Sequence, residues 1–271
     1  MNKKELIESI AGAADISKAA AEKALIIEPT NDEAHTALAL LYLYQYWDWP
    51  KAEEAFKKAI SLNPNNEIAH AHYAWYHVLM GDMNQSIFHA KRAVELDPLS
   101  ASFQSWLAWL HYHNEDYDQA AFWARESLEQ SPGIPWADMV LGWTFLKNKQ
   151  FAEAIEAHER LPNKTARWLW FRCHTYVLAG EREKAISIRN ELEELSKNQW
   201  VNPFYMGMIA GVLGDTDRAF ELINEALDNK YFPLTYMDVF PSSDFIKNDP
   251  RYKALLQKMN LPLDRTLLTV K

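Results

Sequence analysis

Histidine is the residue of this chain best suited to chemistry: there are nine, and His70, His72, His77, His111 and His113 crowd between positions 70 and 113. Imidazoles at that density suggest metal ligation or proton transfer near neutral pH. Their spacing argues against a local site. Residues two apart on a helix face away from one another, so His70 with His72, or His111 with His113, make no chelate. A His-Glu-x-x-His pairing is also missing. Two readings stay open for His77 and His111. They form a long-range metal pair, or they fill an aromatic slot held elsewhere by Tyr42, Phe145 and Tyr176. Cys173, the single cysteine, rules out an internal disulfide and reads as a small buried residue or, alternatively, a nucleophile. Carboxylates such as Glu53, Glu54, Glu191, Glu193 and Glu194 read as solvated outer faces of helices. No glycine-rich phosphate loop is present, so neither a catalytic constellation nor a cofactor is expected.

The charge balance removes a further class. With 28 basic against 37 acidic residues the net charge is -9, and no Lys/Arg run exceeds two. Direct nucleic-acid binding lacks its electrostatic footprint. At the N-terminus Glu5, Glu8 and Asp15 interrupt the apolar residues, leaving no signal-peptide core. The longest apolar stretch, Ala34 to Trp47, includes His35, Thr36 and Gln45 and falls well short of a bilayer span. The expectation is a cytoplasmic chain that does not enter a membrane.

The elements that position these residues follow from spacing. Prolines 29, 64, 98 and 132 recur at steps of 35, 34 and 34, each where a helical pattern stops. A small residue recurs as Ala39, Ala74, Ala108, Gly142, Cys173 and Gly207, at steps of 35, 34, 34, 31 and 34. A second series, Ala52, Ser86, Ala120, Ala154, Ala185 and Ala219, steps by 34, 34, 34, 31 and 34. Two helices approach to about 8 to 10 Å only where the side chains between them are short, so the two series mark paired helices in one register. No segment alternates like a strand, and the fold class is all-α. Asp48-Trp49-Pro50 stands where glycine turns other units, and its extra residue is read as the cause of the 35-residue step. The short step of 31 is placed at Leu161-Pro162, where a second helix is cut.

The chain therefore divides into an N-terminal capping or incomplete repeat (1–30), about six helical hairpins (31–228), and a C-terminal loop, capping helix and tail (229–271). The capping helix starts at Asp249-Pro250 and carries an apolar stripe of Tyr252, Leu255, Leu256 and Met259. Leu263 to Lys271 is expected to fray.

The unit NPNNEIAHAHYAWYHVLMGDMNQSIFHAKRAVELDP, residues 63–98, resembles the tetratricopeptide repeat, whose period is about 34 residues. That resemblance implies a right-handed superhelix of antiparallel hairpins, an α-solenoid whose first helices form the concave wall. With YWDWPKAEEAFKKAISLNPN and NDPRYKALLQKMNLP, the chain is similar to the C-terminal repeat regions of bacterial signalling and transcriptional regulators. Those regions serve as sensory or interaction parts. The charged clamp by which some members grip a C-terminal carboxylate has no counterpart, because Thr36, Leu40, Ala71 and Trp75 hold the nearest positions.

On the first helices, Trp75, Trp109 and Trp143 recur at steps of 34. With Tyr44, Tyr112, His113 and Lys147, and with Trp136, Met139 and Trp170 from the neighbouring row, they form a candidate partner-binding groove. The alternative is that the indoles pack between adjacent helices as core. The expected function is a non-catalytic scaffold binding a protein or peptide partner. Self-association into a homo-oligomer is one alternative, and a metal-dependent enzyme using the histidine-rich repeats is another.

Overall fold

The computed structural model describes residues 17–162 and 165–263. The first part of the expected N-terminal cap, residues 1–16, and the tail from 264 onward lie outside the described residues. Two compact units are formed, Met1–Leu99 and Ser100–Lys271. No strand occurs among the described residues, and no helix there is long and apolar enough to cross a membrane.

Short polar side chains open most helices by accepting an otherwise orphaned backbone N–H. In the first unit, α1 (residues 17–27) is followed by α2 (Asp32–Leu41), α3 (Trp49–Leu62), α4 (Glu67–Met80) and α5 (Met83–Leu96). Asn31, Asp48, Asn66 and Asp82 cap α2 to α5 in turn. Asn66 does more than cap: its Nδ2 donates to Asp32 Oδ2 at 2.8 Å and to Thr36 Oγ1 at 3.0 Å, tying the second hairpin to the first.

The extra residue behind the 35-residue step lies elsewhere than expected. It is absorbed inside the first helix, where α2 runs on as a π-helical turn over Tyr42–Tyr46. A π turn takes up one residue without breaking the helix. Trp47, at φ 56, then supplies the left-handed step that glycine supplies in other units, and Asp48 caps α3.

The second unit comprises α6 (Ala101–His113), α7 (Tyr117–Gln130), α8 (Pro135–Lys147), α9 (Phe151–Glu159), α10 (Ala166–Leu178), α11 (Arg182–Ser196), α12 (Pro203–Val212) and α13 (Thr216–Asp228). Two 3₁₀ segments, Phe232–Val239 and Pro241–Ser243, lead through α14 (Asp244–Lys247) to α15 (Arg251–Lys258). Helix α9 has 9 residues where α7 has 14, which accounts for the 31-residue step. Arg172 on α10 closes its end, donating to the carbonyls of His158 at 3.2 Å and Leu161 at 2.6 Å.

Small residues sit where helices meet. Ala39, Ala108 and Cys173 of the first series, and every member of the second, are fully buried. A Cβ built on Gly207 would stand 2.9 Å from the Ala219 carbonyl, so α12 and α13 meet backbone to backbone. Ser86 keeps its place by donating to the Ala74 carbonyl at 2.9 Å. Helix α15 lies on α13: Leu255, Leu256 and Met259 are buried, and Arg251 covers the Phe220 ring at 4.1 Å while pairing with Asp217 at 2.9 Å.

Candidate functional site

The first helices α8, α10 and α12 of the second unit make one aromatic wall. Trp143 on α8 meets the rings of Tyr112 at 5.5 Å and Phe171 at 5.2 Å, and Trp170 on α10 meets Phe204 at 5.8 Å. Edge-to-face and tilted contacts at these separations are the favourable geometries for aromatic rings. The wall is not open. The segment after α13 folds back along it, and Phe240, 2% exposed, sits 5.7 Å from Trp143, 4.8 Å from Trp170 and 5.2 Å from Phe171. Phe245 fills the notch left by Gly211, where a Cβ would fall 2.0 Å from its ring.

Most of the expected groove residues are therefore interior in this state. Trp109, Trp143 and Trp170 are at most 1% exposed, and Tyr112, His113, Met139 and Trp75 are buried. The physical reason is size. An indole pointing along a first helix reaches the next ring, and in the second unit Phe240 takes the remaining side. Trp136 is half-buried, with its ring 5.9 Å from Trp168, and Lys147 lies over Tyr117 and is exposed. In the first unit Tyr44 is half-buried and its hydroxyl bonds His72 Nδ1 at 2.7 Å. Phe240 and Phe245 follow the last hairpin and lie outside the repeat register, so no periodic signal pointed to them.

Buried histidines such as His70, His89 and His158 act as neutral struts. His70 donates from Nε2 to the Pro64 carbonyl at 3.2 Å, so its Nδ1 accepts and His89 Nδ1 donates across 2.8 Å. Burial, with the nearby His70 and His77, holds His89 down to about 4. His158 joins α9 to α8 and α10, bonding the Met139 carbonyl at 3.0 Å and Thr175 Oγ1 at 2.5 Å. Burial lowers it to about 4, and His113 and His174 to about 3. His77 packs on Tyr73 and His89, whereas His111 faces Asp116 at 3.3 Å. Among the described residues no group of three His, Cys, Asp or Glu is arranged to hold a metal ion. Burial pushes the Cys173 thiol up to about 12, and it donates to the Ala185 carbonyl, which leaves no thiolate for nucleophilic attack.

Two family models, each described as tetratricopeptide repeat, match residues 74–135 and 51–66. Over these residues the chain is recognised as tetratricopeptide repeat. No curated protein matches it by sequence. Solved tetratricopeptide arrays share the fold. A repeat protein from Parabacteroides merdae is 15% identical at a TM-score of 0.64, covering 95% of this chain and 98% of that one. PilW, a widely conserved type IV pilus biogenesis factor, is 20% identical at 0.60, covering 73% and 96%. The Cut9–Hcn1 structure of the APC/C is 16% identical at 0.65, covering 92% of this chain and 46% of that one. Proteins built from tetratricopeptide repeats typically bind other proteins or peptides.

Proposed function

We propose that the chain is a non-catalytic interaction module whose aromatic wall in the second unit recognises an extended, aromatic-bearing segment of a partner protein. The observation that carries this is the seat of Phe240 among Trp143, Trp170 and Phe171. That seat is an apolar, ring-lined pocket for one side chain, here filled by the chain's own segment. Buried aromatic anchors of this kind are worth about 2 kcal/mol or more at interfaces. Trp136, half-buried, and Lys147, exposed, are expected groove residues still open to a partner. In this reading the partner competes with residues 232–247 for the seat. The resemblance of the repeat-plus-tail sequence to signalling regulators supports a role as the sensory or interaction part of a cytoplasmic bacterial signalling system.

The test is calorimetry of a synthetic YMDVFPSSDFIK peptide, residues 236–247, against full-length chains. Phe240→Ala protein should bind it, wild type should not, and a peptide carrying Ala in place of Phe240 should bind neither. Equal binding to both proteins, or to neither, sinks the reading. A second reading, self-association, is favoured by Ile26 and Ile27, which are 80% and 86% exposed at the end of α1. Light scattering at high concentration decides it: a monomer unaffected by Ile26→Lys excludes self-association through this end.

A further inference from the structure

Between the fifth and sixth hairpins the start of α10, the end of α11 and the loop into α12 line an open cleft of about 300 Å³. A volume of this order holds a small ligand or one to two side chains. Arg167, in the first turn of α10, is the cation on its lining, and no carboxylate lines it among the described residues. Four other arginines of the second unit are committed to partners. Arg160 and Arg251 pair with Asp138 and Asp217, while Arg172 and Arg182 donate to backbone carbonyls. Arg167 donates only from Nε, to the Tyr205 hydroxyl at 2.8 Å, and its terminal nitrogens have no hydrogen-bond partner among the described residues. Its guanidinium lies 5.7 Å from the Trp168 ring centre and 5.9 Å from that of Tyr205, so aromatic rings flank it.

Helix stability does not explain this placement. A cation in the first turn opposes the helix dipole, and α10 has neither a side-chain cap nor an acidic residue there. Tyr205 cannot act as the counter-charge, because burial raises its phenol far above neutrality. With Nε committed to Tyr205, the edge formed by the two terminal nitrogens is the one left to take a planar anion. The rest of the lining is mixed: Trp168, Tyr231 and Leu192 make an apolar side, Thr165, Gln199 and Asn202 add neutral polar groups, and Trp200 is 42% exposed.

We propose that this cleft binds an organic carboxylate carrying an apolar or aromatic group, the carboxylate on the Arg167 fork and the apolar part on Trp168, Tyr231 and Trp200. The cleft adjoins the Phe240 seat but is lined by none of Phe240, Trp143, Trp170 or Phe171, and the proposal does not rest on the reading of that seat. It also differs in position from the charged clamp of other repeat proteins, whose places are held here by Thr36, Leu40, Ala71 and Trp75.

The experiment is calorimetry on the full chain with four probes that separate the sources of a carboxylate. They are N-acetyl-Leu-Phe as the free acid, its C-terminal amide, N-acetyl-Glu-Phe-amide, and phenylacetate. Binding of the first points to a peptide terminus, of the third to an acidic side chain, and of phenylacetate alone to a small free acid. The amide of the first should bind at least about tenfold more weakly, the loss expected for a charge-assisted pair. Arg167→Gln should weaken the best probe at least as much, with an unchanged melting temperature, and Arg167→Lys should restore only part. Should Arg167→Gln fail to fold, Trp200→Ala is expected to weaken the same probe several-fold. No carboxylate binding at millimolar concentration, equal binding of acid and amide, or undiminished binding by the variants overturns the proposal.

Discussion

Replacing Gly142 by Ala tests the packing of the first small-residue series, where a Cβ would meet its neighbour more closely than at Gly207. On an exposed helix the change would stabilise by about 1 kcal/mol, since Ala outranks Gly in helix propensity. Here the new Cβ would stand 2.2 and 2.3 Å from His158 Nε2 and Cδ2. The ring cannot step aside cheaply, because it is held between Thr175 Oγ1 at 2.5 Å and the Met139 carbonyl at 3.0 Å. Overpacking costs about 1 to 3 kcal/mol, and a displaced imidazole leaves buried polar atoms unpaired at about 1 to 3 kcal/mol more. Set against the propensity gain, the net cost is about 1 to 5 kcal/mol. Urea unfolding followed by tryptophan fluorescence measures it. His158→Ala vacates the space, so in that background Gly142→Ala should stabilise by about the propensity gain, giving a coupling energy of about 2 to 6 kcal/mol. A neutral Gly142→Ala, or the same cost in both backgrounds, refutes the packing argument.

Acid should unfold the chain early. His158 titrates at about 4 in the fold against about 6.5 when unfolded, so the unfolded chain binds the proton first. Stability then falls as pH drops from 6.5 to 4 and levels off below, His158 alone accounting for about 3 kcal/mol. His158→Gln should flatten the slope by about one proton in a pH series of melting curves. Ser86→Ala should cost about 1 kcal/mol by urea titration, for the lost bond to the Ala74 carbonyl, and Ser86→Leu distinctly more, through overpacking. Asn66→Ala should cost about 2 kcal/mol, because it removes the cap on α4 and the bridge to Asp32 and Thr36 together. A loss no larger than that of an ordinary cap would show that the bridge contributes nothing.

The hairpins were legible because steric exclusion is local and periodic: Ala52, Ser86 and Ala120 must be small for reasons repeated in every unit. The 35-residue step announced an extra residue, yet only the backbone shows the π turn at Tyr42–Tyr46, since spacing alone cannot say where a helix absorbs an insertion. The tryptophan steps gave a period and left exposure open. Whether Trp143 lines a groove or a core depends on Phe240, far along the chain, which follows a 3₁₀ segment with no periodicity to read. Arg167 was hidden for another reason. It takes the register position of Trp136, where the rest of the wall is apolar, so its meaning emerges only once Tyr205 and Trp168 are seen around it.

The most direct measurement is the fluorine spectrum of the full chain carrying 4-fluorophenylalanine at position 240. A resonance shifted by the surrounding rings, insensitive to exchange of H₂O for D₂O, is expected for the free protein, with movement toward the solvent-exposed position as a competing aromatic peptide is added. A random-coil resonance with a full solvent isotope effect in the free protein would contradict the account.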